Sequence, residues 1–518
     1  MALFAASVSA ITLAQDSPER VDILLQGGTV HVGDGSKGTV ADVAVRNGRI
    51  VAVAESLSSQ ADITLNCRGL IICPGFIDLH NHSDDVITQR DTRANVNYLM
   101  QGCTTVVTGN CGFGPVDVAA YLKSVDDNGA GTNIAHLLPQ GSLRSQVMGD
   151  VNRPAKDDEL AEMRRLTDQA MQDGAFGMST GLIYVPGTFT QTDELVQIAE
   201  IVGQHHGIYA SHIRNESTEL AQSVAEAIEI GQRAGTPVHI SHFKASSKPA
   251  WGTLRVAVSL IEAAREKGQH VTADQYPYMA SSTSLQATLV PTWAREGGRS
   301  DLISRLKDPE LSARIRNEIH ETIPSKGRIQ IASYRANPTY VGKSLDEIAE
   351  QEGRPVVDVV VDIELNGGAS VVHFGMQEEE IRSVMPLPWL ATASDGGAKV
   401  INDTMPHPRS FGTFARKIGR YAIEDDVLSL EAAIRSATSL PAEILGLKDR
   451  GRVAVGSAAD LCVFDPETFR DRATFAEPFL QCAGTRHVLV NGQLAVHNGI
   501  PTGRLAGTAL RRTMPPSP

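Results

Sequence analysis

Short stretches of alternating apolar and polar residues mark the two ends of this chain, and apolar runs separated by helical periodicity fill its middle. Asp42-Val43-Ala44-Val45-Arg46 and Arg49-Ile50-Val51-Ala52-Val53 alternate with the strand period of two and are joined by Asn47-Gly48, a two-residue hairpin signal. His487-Val488-Leu489-Val490 and Gln493-Leu494-Ala495-Val496 repeat the device around Asn491-Gly492, and Ala459 to Asp465 reads as another strand. The pattern predicts one small β domain built from both ends (21–72 and 448–500), with 73–447 inserted between them and 501–518 left as a tail.

The middle alternates strands with helices. Thr192 caps a helix carrying early acids, and Leu195, Ile198, Ala199 and Val202 follow at helical spacing. The strand Ile208 to His212 comes next, then a helix over about 218–233, then Val238 to His242. A further helix over about 253–267 leads into Val271 to Tyr276. His212 to His242 is 30 positions and His242 to Tyr276 is 34, the pitch of successive βα units. Eight strands are expected, near His80, Val106, Leu137, Gly177, Tyr209, Ile240, Ala273 and Ala393. The fold class is therefore α/β: a TIM (β/α)8 barrel with a small β-sandwich domain from both termini. Asp395 lies 119 positions beyond Tyr276, so a largely helical lobe over about 302–379 is expected before the last barrel strand.

Composition narrows the picture only a little. A net charge of −13 over 518 residues argues against nucleic acid or an anionic membrane as the main partner. Six scattered cysteines, with no CxxC pair, make no disulfide framework. Residues 1–20 begin with an apolar run lacking Lys or Arg. They read as a secretory signal without its basic start or as a simple leader, which places the protein in the periplasm or outside, otherwise in the cytoplasm. No other run is long enough to span a membrane.

The chemistry sits where strands end. Phe76-Ile77-Asp78-Leu79-His80-Asn81-His82 is an apolar run closing in His-x-His, and strand residues two apart share a face, which makes a claw for a divalent metal. Cys111, in Gly109-Asn110-Cys111-Gly112, follows a Thr/Val strand; beside a metal its thiolate becomes a ligand or bridge. His212 and His242 close neighbouring strands, and Asp395 closes the presumed last one, where a carboxylate can serve a metal-activated water as base and then acid. Lys244, Tyr276 and Arg409 make a cationic, hydroxyl-rich pocket for a substrate carboxylate. His239 falls out of phase with His242, and His205 and His206 lie at a helix end; these three read as structural.

With Gly177-Met178-Ser179-Thr180-Gly181-Leu182-Ile183-Tyr184, Ser211-His212-Ile213-Arg214-Asn215-Glu216, Tyr276-Pro277-Tyr278 and His407-Pro408-Arg409, these motifs resemble those of the N-acyl-D-amino-acid deacylases (D-aminoacylases) of the amidohydrolase superfamily, over about 21–500. The resemblance implies a tight zinc site at Cys111, His212 and His242. It implies a second, weaker one at His80, His82 and Asp395, with Cys111 shared. Asp395 would be the general base and acid, Lys244, Tyr276 and Arg409 the holders of the substrate α-carboxylate, and Tyr184 and Ser282 their neighbours in the pocket. The implied reaction is hydrolysis of an N-acyl-D-amino acid, a small-molecule substrate, by attack of metal-bound hydroxide. The alternative is another amidohydrolase acting on cyclic amides or D-peptides. Against hydantoinase or dihydroorotase, the fourth strand, Ala175-Phe176-Gly177-Met178-Ser179, holds no lysine to carbamylate. Oligomeric state is not encoded in any of these motifs.

Overall fold

The computed structural model describes residues 19–512. The expected leader, 1–20, falls almost wholly outside them, as does the end of the chain from 513. Eight parallel strands form the barrel wall: Phe76–Asp78, Cys103–Thr108, Asn133–His136 continued by Leu138–Pro139, Gly177–Gly181, Ile208–His212, Val238–Ile240, Val271–Gln275 and Leu390–Thr392. A parallel bridge between Asn81 and Gly396 closes the ring from first strand to last.

Alternation along each strand separates two cores. Ile77, Val107, Ala135, Ile208, Ala210 and Ala391 meet in one buried cluster with Leu440 and Leu445. Their neighbours Val106, Met178, Tyr209 and Ile240 instead pack against helix residues such as Leu195, Ile198, Val224 and Ile261. Each buried aliphatic side chain in these layers contributes roughly 1.5–3 kcal/mol. His212 has the parity of Ile208 and Ala210, so the face that fills the barrel also delivers the imidazole to its rim.

Strands from both ends share one sheet of nine, in which Ile71–Pro74 pairs with both Arg20–Val30 and Leu461–Phe464. The segment after 500, expected to be a tail, is laid along the barrel. Gly507 bridges Ala130, Ala509 bridges Ile134, and Arg512 donates to the carbonyl of Leu445.

A separate core of residues between Leu285 and Val371 belongs to the inserted lobe. Its three-stranded sheet is Ser281–Ser284, Ser370–Phe374 and Arg328–Ser333. The lobe therefore starts some twenty residues before the expected boundary at 302. Ser281–Ser284 carries only small polar residues, and pairing with Ser370–Phe374 supplies what its side chains do not encode.

Candidate metal centre and substrate pocket

The rim gathers its donors on unusual backbone. Cys111, His242 and Asp395 all have positive φ, at 53°, 37° and 50°, a region that costs energy for residues other than glycine. Gly109 makes room for the turn: its φ is +78°, and a Cβ there would collide with the carbonyl of Leu137. Its N–H donates to Asp84 Oδ1 at 2.5 Å, which fixes the Cys111 loop to the segment after His82.

Around the sulfur of Cys111 stand three imidazoles. His80 Nε2 lies 3.2 Å away, and His212 Nδ1 and His242 Nε2 each lie 3.6 Å away. Asp395 Oδ1 is 3.6 Å from His80 Nε2 and 3.1 Å from His82 Nε2. The His-x-His pair thus converges as its spacing predicts. It does so just past the strand, around the Asn81 bridge, rather than within it. His80, Cys111, His212 and His242 are buried, while the side chain of His82 is 34% exposed.

Two carboxylates to which the sequence pattern assigns no role hold this cluster from behind. Glu216 Oε1 sits 2.7 Å from His242 Nδ1 and 2.5 Å from Lys244 Nζ. Burial would raise its pKa, but the Lys244 ammonium, with the hydrogen bond from His242, outweighs that and holds it far below the carboxylate range. Asp274 accepts the backbone N–H of His242 at 2.6 Å and faces His239 Nε2 at 2.8 Å and His80 Nδ1 at 3.6 Å. His239 therefore stays out of the cluster, as its phase requires, and orients Asp274. A His four residues before a Glu, and an acid inside the buried strand Val271–Gln275, were the available signals.

The expected carboxylate clamp assembles with its charges already paired. Lys244 Nζ lies 5.7 Å from the centre of the Tyr276 ring and the Arg409 guanidinium 4.7 Å from it. Lys244 is bound to Glu216, and Arg409 Nη1 lies 2.8 Å from Asp395 Oδ2. The Tyr276 hydroxyl is buried with no hydrogen-bond partner among the described residues. Ser282 lends its carbonyl to Arg409 Nη2 at 3.3 Å. The Tyr184 hydroxyl meets Thr283 Oγ1 at 3.0 Å, and its ring stands edge-on to His212 at 5.1 Å.

Two cavities open onto this cluster, of about 490 and 320 Å³. Tyr184, Ser282, Thr283, Ala287, Arg295 and Asp395 line both. The donor set suits a divalent ion such as zinc: sulfur, imidazole and carboxylate in a buried pocket. Burial lowers the His80 pKa to about 4 and that of His212 well below its usual value, so both rings are in the neutral, ligating form. Burial also pushes the Cys111 thiol up, and only an adjacent cation would favour its thiolate.

The description "Amidohydrolase family" belongs to the family model that matches residues 64–496. A D-aminoacylase of Alcaligenes xylosoxydans xylosoxydans is 34% identical, the match covering 97% of this chain and 100% of that protein. A crystal structure of D-aminoacylase, described as defining a novel subset of amidohydrolases, superposes with a TM-score of 0.83 at 33% identity, over 95% of this chain and 100% of the other. An N-acyl-D-glutamate deacylase from Bordetella bronchiseptica, solved with zinc and a phosphonate mimic of the tetrahedral intermediate, gives 0.82 at 31% over the same shares.

Proposed function

The chain belongs to the amidohydrolase family, among the D-aminoacylases and their deacylase relatives, and from that premise we propose how its own residues act. It is a metal-dependent hydrolase that cleaves the amide of N-acyl-D-amino acids to a carboxylate and a free D-amino acid. The observation that carries the reading is the Cys111 sulfur within 3.2–3.6 Å of three imidazoles, with Asp395 alongside.

Cys111, His212 and His242 would hold zinc tightly, and His80, His82 and Asp395, sharing Cys111, a second and weaker ion. Zinc there would act as a Lewis acid on the amide carbonyl and make water acidic enough to attack near neutral pH. Asp395 takes the proton of the attacking water and returns it to the departing amino group. Its Oδ1 faces the metal-side imidazoles and its Oδ2 faces Arg409, so the carboxylate stands between the metal cluster and the clamp. Arg409, the free hydroxyl of Tyr276 and Lys244 receive the α-carboxylate, with Tyr184 and Ser282 beside it. Fixing that carboxylate brings the acyl group of one enantiomer over the metal and swings that of the other away.

The sheet built from both ends is read as the family's small β-sandwich, and the apolar leader as an export signal. Among the described residues no helix is long and apolar enough to cross a membrane. The cyclic-amide alternative has less support, since Gly177–Gly181 offers no lysine. A chiral panel with added zinc tests the reading. N-acetyl-D-amino acids should be hydrolysed at least about 100-fold faster than their L-enantiomers, in line with the loss that misplacement of the reacting atoms brings. Turnover confined to hydantoins or dihydroorotate would overturn it.

A further inference from the structure

The three residues of the carboxylate clamp all come from one half of the barrel. Lys244 follows the sixth strand, Tyr276 the seventh, and Arg409 comes after the eighth. The loops after the second, third and fourth strands form the opposite half, since strand three faces strand seven in a ring of eight. There Phe113, Gly141, Val185 and Pro186 wall a further cavity of about 390 Å³. It adjoins the larger of the two rim cavities, with which it shares Phe113, Asp150 and Val185.

Packing ties this cavity to the metal cluster. The Phe113 ring stands edge-on to Tyr184 at 5.4 Å, and Tyr184 stands edge-on to His212 at 5.1 Å, so a row of rings runs from the cluster to the cavity. A Cβ on Gly141 would lie 2.7 Å from the carbonyl oxygen of Gly112, so the start of the helix Gln140–Met148 rests directly on the Cys111 loop. Across the same contact the Gly114 N–H donates to Ser142 Oγ at 3.3 Å. Phe113 is nevertheless 42% exposed, an apolar ring left open beside the site. Covering such surface is favourable roughly in proportion to its area.

We propose that the acyl group of the substrate runs along Phe113 and Val185 into this cavity, so that apolar acyl groups larger than acetyl are preferred. The proposal rests on the deacylase reading, in which Lys244, Tyr276 and Arg409 hold the α-carboxylate. In an extended N-acyl-amino acid the carboxylate and the acyl chain are opposite ends, with the scissile carbonyl between them. A molecule anchored on the half of strands six to eight, with its carbonyl at the cluster, therefore sends its acyl chain towards the half of strands two to four. An acetyl methyl stops near the cluster, whereas a longer chain meets Phe113. That residue thereby determines specificity and takes no part in the chemistry.

The zinc-supplemented full chain is assayed on N-acetyl, N-butanoyl and N-hexanoyl derivatives of the D-amino acid whose N-acetyl form it hydrolyses fastest. Each buried methylene is worth about fourfold, so with half of the added methylenes covered hexanoyl should exceed acetyl by at least about 10-fold in kcat/KM, mostly through KM. Ser145→Trp, which fills the cavity from the helix side, should bring the two within about threefold of one another. Phe113→Ala, at an exposed position that tolerates the change, should narrow the gap too and carries the test if Ser145→Trp does not fold. Equal or faster use of acetyl by wild type, or a gap that both variants leave intact, overturns the proposal. So does faster turnover of N-glycyl than of N-hexanoyl substrates. That result would give the cavity to an ammonium on Asp150, whose Oδ1 is buried with no hydrogen-bond partner among the described residues. Hexanoate and acetate, the carboxylates such hydrolysis releases, probe the cavity without turnover. If no N-acyl-D-amino acid is hydrolysed, the deacylase reading fails, while a larger rise in Tm with hexanoate, lost in Ser145→Trp, still supports the apolar cavity and equal shifts refute it.

Discussion

Asp395 is held at both ends, with Oδ2 2.8 Å from Nη1 of Arg409 and Oδ1 3.1 Å from Nε2 of His82. Burial would raise its pKa, but the Arg409 guanidinium, with the hydrogen bond from His82, outweighs burial and keeps it well below the carboxylate range. A base held so low is poor at accepting a proton until its cation is engaged elsewhere. In the proposed reading the α-carboxylate of a substrate on Arg409 does that, so binding and basicity would be linked through one guanidinium. Asp395→Asn should therefore lower kcat by about 1,000-fold or more, the upper range for a lost acid–base group. Asparagine tolerates the positive φ at this position, so circular dichroism and Tm should stay near wild type. Near-normal kcat in the variant would remove Asp395 from the chemistry.

Glu216 connects His242 Nδ1 to Lys244 Nζ, so its removal disturbs a ring's orientation and strips a buried ammonium of its partner. Glu216→Gln should weaken zinc binding by about 10–100-fold, as losing the group that orients a metal-binding histidine does. It should also destabilise the protein by about 3 kcal/mol. Competition against a chelator and chemical denaturation measure the two. Adding Lys244→Met should restore much of the stability and none of the metal affinity.

Lys417 is 1% exposed and its Nζ has no hydrogen-bond partner among the described residues. Burial lowers its pKa from 10.5 to about 7. Between those values the unfolded chain binds the proton that the native state has released, so stability rises as pH climbs from about 7 towards 10.5. Lys417→Met should raise Tm at pH 7 and flatten its dependence on pH over that interval. Thermal unfolding at pH 7, 8 and 9 compares the two proteins.

Much of the barrel and its rim was legible because the signals are local. A ligand at the end of an apolar run, repeated at the βα pitch, needs no knowledge of the tertiary structure. His80, Cys111, His212, His242 and Asp395 all announce themselves that way. Glu216, Asp274 and Arg295 do not, since each matters for what it meets across the fold. Glu216 sits in a loop after its strand, and only the chain path brings it behind His242. Asp274 looks like an interruption in a strand until His239 and the backbone of His242 are seen to complete it. Arg295 is one arginine among many by sequence, distinguished by lying buried between the two cavities with no carboxylate within ion-pair distance among the described residues. The lobe's early start was hidden because Ser281–Ser284 has no apolar alternation to read.

The proposed reading requires Cys111 and its neighbouring imidazoles to share one ion, and X-ray absorption at the zinc edge addresses that most directly. The zinc-loaded protein should show one sulfur at about 2.3 Å and imidazole nitrogens at about 2.0–2.1 Å, with the sulfur lost in Cys111→Ser. A shell of nitrogen and oxygen alone in the wild-type protein would contradict it.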